Sequence, residues 1–109
     1  MNFNDYQAKA KTTSTMSDPV LAPLYFTLGL TGEAGEIAEK IKKVIRNHDG
    51  DYTKRDREDL TKELGDVMWY LAMLADTFDI ELDDVARANI AKLADRKNRG
   101  VIKSTGDYR

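Results

Sequence analysis

Four carboxylates in this sequence come as two matched pairs. Glu33 and Glu36 stand three apart in TGEAGEIAEKIKKV, residues 31–44, and Glu63 and Asp66 stand three apart in KELGDVMWYLAML, residues 62–74. Aligning Glu33 with Glu63 gives E-x-G-[E/D]-[I/V]-x-x-x-[I/L] twice. At about 100° per residue, the members of a pair occupy neighbouring rows of a helix, one turn apart. Each pair flanks an apolar stripe at the same phase: Phe26, Leu30, Ile37, Ile41 and Val44 in one segment, Leu60, Val67, Leu71, Leu74 and Phe78 in the other. The acids therefore border a core-facing seam, where an unpaired carboxylate is costly.

An antiparallel pairing of the two segments brings Glu33, Glu36, Glu63 and Asp66 together, and a divalent cation turns their mutual repulsion into attraction. Every donor is a hard oxygen, which suits Mg²⁺ or Mn²⁺ better than zinc or copper, and there is no E-x-x-H of a di-iron bundle. A single E-x-x-E is common on ordinary solvated helices; the second pair at the same phase makes a metal site the stronger reading. Downstream, Asn89, Lys92, Arg96 and Arg99 fall within roughly 80° on a helical wheel and border the core, a strip suited to phosphate oxygens. Cations that merely favour the negative end of a helix dipole would look the same.

The elements that position these groups are helices. Residues 4 to about 11 form a short first helix, and TTSTMS, residues 12–17, reads as a connection because its side chains compete for backbone hydrogen bonds. A long amphipathic helix opens at Asp18-Pro19 or at Pro23 and runs to about Arg46, ended by the turn-rich NHDGDY. Thr53 caps a third helix to about Thr77, and a fourth runs from Leu82 or Asp83 to Asn98, stopped by Gly100. No strand-like alternation of useful length occurs. The expectation is one all-α domain over residues 1–109, an antiparallel four-helix-type bundle completed by oligomerisation. Gly29, Gly32 and Gly35 form a row inside the second helix, each costing about 1 kcal/mol relative to alanine. Close approach of another helix, such as one from a second subunit, explains them; a break in the helix is the competing account.

Composition narrows the chemistry. The formal charge of −2, from 19 acidic and 17 basic residues, gives no overall affinity for a nucleic acid polymer, so a nucleotide site is a local one. Cysteine is absent, which removes disulfides, thiolate catalysis and Cys-ligated metals. The single histidine, His48, is expected in a solvated loop and rules out a histidine-rich metal phosphohydrolase site. No apolar run spans a membrane and the start MNFNDYQAKAK lacks the apolar region of a signal peptide, so the expected location is the cytoplasm.

GLTGEAGEIAEKIKK followed by KELGDVMWYLAMLA closely resembles the MazG-like, all-α nucleoside triphosphate pyrophosphohydrolases, a group that includes dimeric dUTPases and small dCTP pyrophosphatases. The resemblance covers about residues 21–99. It implies Mg²⁺ held by Glu33, Glu36, Glu63 and Asp66, and cleavage between the α and β phosphates of a (d)NTP to give a (d)NMP and pyrophosphate. It places Asn89 and Lys92, with Arg96 and Arg99 beside them, on the substrate phosphates. Catalysis then rests on Glu36 and Glu63, with Glu36 favoured as acceptor of the attacking water's proton and Lys92 and Arg96 stabilising the departing charge. Tyr70 is implied as a sugar contact that disfavours a 2′-hydroxyl. Trp69 is read as either a base platform or a packing residue; Phe3, Tyr6, Gln7 and Phe26 are candidate walls of the base pocket. Lys40, one turn past Glu36, is expected either against the acids or a phosphate or in ion pairs along its own helix.

The expected enzyme is a homodimer or homotetramer whose site is bounded by helices of more than one subunit, acting on surplus or unwanted nucleotides with a preference for deoxynucleotides. A base-specific dUTP or dCTP hydrolase and a non-catalytic helical module binding a nucleotide or protein are the alternatives.

Overall fold

In the computed structural model, which describes residues 1–103, 106 and 107, four helices follow one another: α1 (Phe3–Lys11), α2 (Leu21–His48), α3 (Lys54–Thr77) and α4 (Leu82–Asn98). Among the described residues there is no strand. Each boundary has a local cause. Asn2 caps α1 by accepting from the Asp5 N–H at 2.7 Å. Asp18 Oδ1 accepts from the N–H groups of Val20 at 2.8 Å and Leu21 at 3.0 Å, so the Asp18-Pro19 start is the one used, and Pro23 sits in the first turn where an amide proton has no helical partner. At the far end Asp49 adopts the left-handed conformation (φ 53°) and its N–H returns to the Val44 carbonyl, which closes α2 two residues later than expected. A capping box opens α3: Thr53 N donates to Asp56 Oδ2 at 2.8 Å while Asp56 N donates to Thr53 Oγ1 at 3.1 Å.

The helix α2 runs unbroken through Gly29, Gly32 and Gly35, which disposes of a break there. It packs along α3, the most extensive pairing in the chain, and α1 lies across α3 and α4. Gln7 on α1 stitches these together: its side-chain amide donates to the carbonyls of Ala72 (3.2 Å) and Ile80 (3.0 Å), and its Oε1 accepts from Leu82 N at 3.0 Å. The core around this stitch is Ala10, Ala22, Phe26, Ala72, Met73 and Leu82.

Within one chain the bundle is not closed. The α4 helix touches α1 and α3 but not α2. Leu21, Leu24 and Leu28 are 53%, 58% and 65% exposed on the outer side of α2, in line with Gly32 and Gly35, where an added Cβ would meet nothing. A second apolar surface, lined by Leu64, Met68, Leu71, Val85 and Asn89, lies open between α3 and α4.

Candidate metal and phosphate site

The α2–α3 pairing fixes the acids. Gly29 lies across from Tyr70, and one turn along both helices Glu33 lies across from Glu63 and Asp66, so the two helices run antiparallel. One carboxylate oxygen from each of Glu33, Glu63 and Asp66 falls within 4.8 Å of the other two. Glu33 and Glu63 are half-buried and Asp66 is exposed. Glu36 is exposed and stands outside this trio, although its charge still bears on Glu33.

The electrostatics record the crowding. Loss of solvent, then the charges of Asp66 and Glu63, hold the Glu33 carboxyl above its ordinary range, and a hydrogen bond with Glu63 adds to this. Lys40 compensates in part, its Nζ lying 3.7 Å from Glu63 Oε1; it reaches across to α3 rather than along its own helix. Three hard oxygen donors with one distant ammonium fit a divalent, oxygen-loving cation. Such an ion would supply charge neutralisation and polarisation of a bound phosphate.

Aromatic rings close one end of the acidic seam. Tyr25, Phe26, Trp69 and Tyr70 form a chain of neighbours, with centroids 5.0 Å apart for Trp69–Tyr70 and 6.3 Å for Tyr25–Tyr70. Burial, then the Tyr25 hydroxyl and the charges of Glu33 and Asp66, raise the Tyr70 phenol. Trp69 packs edge-on against Phe26 at 5.7 Å and donates its indole N–H to Thr13 Oγ1 at 2.9 Å, so it is held by the connection between α1 and α2. Two of the expected base-pocket walls are engaged within the chain: Phe26 is 3% exposed in the core and Gln7 is held in the stitch. Tyr6 borders the acids from α1, its phenol raised by burial and by Asp66, while Phe3 is 44% exposed at the start of α1. His48 ends α2, exposed, beside Lys40, Lys43 and Asp59.

The expected phosphate residues sit on α4, which packs on α1 and α3 but not on α2. Asn89 is exposed and lines the groove between α3 and α4. Lys92 Nζ and Arg96 Nη2 both hold Asp107 Oδ1, at 3.1 and 3.0 Å, and Arg96 also donates to the Asp107 carbonyl at 2.9 Å. Arg99 pairs with Asp95 one turn back at 2.8 Å. Because α4 does not reach α2, a single chain does not bring these groups onto Glu33 and Glu36. Sequence reasoning missed Asp107 and Tyr25. A lone acid in a polar tail and an exposed aromatic carry no periodic signal.

The sequence model of the MazG nucleotide pyrophosphohydrolase domain matches residues 22–101 of this chain, a span that holds all four acids and α4. The chain belongs to the MazG nucleotide pyrophosphohydrolase family. It is 46% identical to the Gene 37 protein of Mycobacterium phage L5 over an alignment of 114 positions that covers both chains in full. It is 33% identical over 72 residues to the Uncharacterized protein YvdC of Bacillus subtilis strain 168, covering 62% of this chain and 68% of that one. No solved structure matches. In this member of the family, α1 with its Gln7 lies outside the matched span, while the three residues that Gln7 holds lie within it. Among the described residues, no helix is long and apolar enough to cross a membrane.

Proposed function

We propose that this MazG-family protein is a cytoplasmic, Mg²⁺-dependent pyrophosphohydrolase that converts (d)NTPs to (d)NMP and pyrophosphate, prefers deoxynucleotides, and clears surplus or unwanted nucleotides from the pool. The observation that carries this reading is the convergence of Glu33, Glu63 and Asp66 from two helices inside the family-matched span. Those three residues would hold the metal, Mg²⁺ or Mn²⁺, whose contribution when bound is to neutralise and polarise the phosphates. Glu36, exposed and outside the trio, is left free to accept the proton of the attacking water. Tyr70 borders the sugar, one turn from Asp66.

The phosphates need cations, and a second copy of the chain supplies them. The open α3–α4 groove and the Leu21, Leu24, Leu28, Gly32, Gly35 stripe are the surfaces through which a homodimer or homotetramer would form, carrying α4 of one chain to the acids of another. Lys92 and Arg96 already clasp a carboxylate, and a phosphate presents the same anionic oxygens to them. Asn89 and Arg99 flank that clasp on α4.

Pyrophosphate release from the common NTPs and dNTPs, with Mg²⁺ or with EDTA, tests the reading. Metal-dependent release by the native protein, abolished in Glu63→Gln, is the expected result. Release that survives EDTA or the substitution would refute it. One strongly preferred base would instead mark a dUTP or dCTP specialist. Metal-dependent nucleotide binding without release would mark a non-catalytic module.

A further inference from the structure

We propose that Gly29 is a positioning residue for sugar selection, a bare stretch of helix backbone that seats the Tyr70 ring beside the acidic cluster. An alanine Cβ built at Gly29 would overlap the Cδ1, Cε1 and Cζ atoms of Tyr70. The next two glycines in the row meet nothing at all, so among these three only Gly29 is required by a neighbour within the chain. A glycine inside a helix costs about 1 kcal/mol, and here the ring occupies the space gained.

The seat leaves the ring little freedom. Tyr25 stands 6.3 Å away on α2, Phe26 6.4 Å and Trp69 5.0 Å, which hems the ring in at one end of the seam. Glu33 lies one turn from Gly29, and Asp66 one turn from Tyr70, in the same direction along the antiparallel pair. The half-buried ring therefore forms an apolar wall adjoining the carboxylates. This inference rests on the pyrophosphohydrolase reading: a nucleotide whose phosphates reach the cluster brings its sugar to that wall. A 2′-methylene packs against an aromatic ring, whereas a 2′-hydroxyl placed against the ring face gives up water that the face does not replace. Displacing the ring from its seat removes the discrimination while leaving the carboxylates in place.

The test is equilibrium binding of dATP and ATP by calorimetry, with Ca²⁺ in place of Mg²⁺ to hold back hydrolysis, on the native protein, Gly29→Ala, Tyr70→Leu and the double variant. The native protein should favour dATP. In Gly29→Ala that preference should fall roughly three- to tenfold, the scale of one lost aromatic contact, while Mn²⁺ affinity stays unchanged. In the Tyr70→Leu background, where the smaller side chain leaves room for a methyl group, Gly29→Ala should change the preference no further. A Gly29→Ala protein with the native preference overturns the inference. So does an equal loss in both backgrounds, or a native protein indifferent to the 2′ position. Turnover is measured separately, so absence of pyrophosphate release refutes the hydrolase while the binding ratio still reports on the seat.

Discussion

Neutralising Glu63 should make the metal-free protein more stable while destroying its response to metal. Three carboxylate oxygens lie within 4.8 Å of one another. At that separation two unit charges repel by about 1 kcal/mol under water-like screening and by about 3.5 kcal/mol at an effective dielectric constant near 20. Asp66 is exposed, which keeps its interactions near the lower figure, and Glu63 is only partly buried, with 18% of its side chain accessible. Glu63→Gln removes repulsion toward both neighbours, about 2 kcal/mol in total, and gives up the 3.7 Å pairing with Lys40, at most about 1 kcal/mol. The net gain of about 1 kcal/mol corresponds to a rise in Tm of about 4–8 °C for a domain of this size. In EDTA, circular dichroism melts should show the variant above the native protein. Adding Mg²⁺ should then raise the native Tm, by an amount that grows with the logarithm of metal concentration, and leave the variant nearly unmoved. A variant that melts below the native protein in EDTA would refute the account of a repelling cluster, and one that keeps the full metal-induced rise would refute Glu63 as a ligand.

The sign of the Glu33 effect is also testable. Its carboxyl is raised above the ordinary value of 4.5, so its ionised form opposes folding: stability drains away as pH rises through that value toward the higher folded one, and the whole penalty is present above both. In EDTA the Tm advantage of Glu33→Gln over the native chain should therefore widen from pH 4 to pH 7.5, and an advantage that narrows over that range contradicts the assignment. Asp107 behaves oppositely, its carboxyl held below the usual range by Arg96 and then Lys92. If phosphate displaces it, Asp107→Asn should lower KM severalfold with kcat unchanged, and Lys92→Ala should raise KM; an unchanged KM in the first variant excludes competition by the tail. Gln7→Leu strands the Leu82 N–H and the Ile80 carbonyl, which should cost about 1–3 kcal/mol. A melt within 2 °C of native would show that the stitch is dispensable.

How far the molecule could be read from its sequence varies by element. Long amphipathic helices with strong caps declare themselves, and the ends of α1, α3 and α4 fall within a residue or so of the positions implied by Thr53, Gly100 and the apolar periodicity. The acids were legible for the same reason: two motifs at one helical phase meet when their helices pair antiparallel, and three of the four do so closely. Trp69 and Gln7 were not. The side of α3 that looks solvent-facing on a wheel is covered by α1 and by Thr13 in the connection after it, contacts between residues tens of positions apart that no local pattern encodes. Gln7 is a candidate pocket wall in the sequence, and its part as a stitch shows only once its three partners are in place.

The basic strip shows where helical phase stops being informative. A wheel correctly puts Asn89, Lys92 and Arg96 on neighbouring rows, but rows do not say which helix lies opposite. Here α4 meets α1 and α3, and Arg96, only 4% exposed, spends its donors on the chain's own tail. A buried guanidinium with a carboxylate and two backbone carbonyls around it is a cation whose charge and donors are already satisfied. The acceptors all come from the tail that follows α4 and from no helix. The acidic cluster is thus built within one chain by the α2–α3 pairing, whereas the basic strip on α4 is satisfied by the chain's own tail; in the proposed oligomer a nucleotide phosphate would take the tail's place.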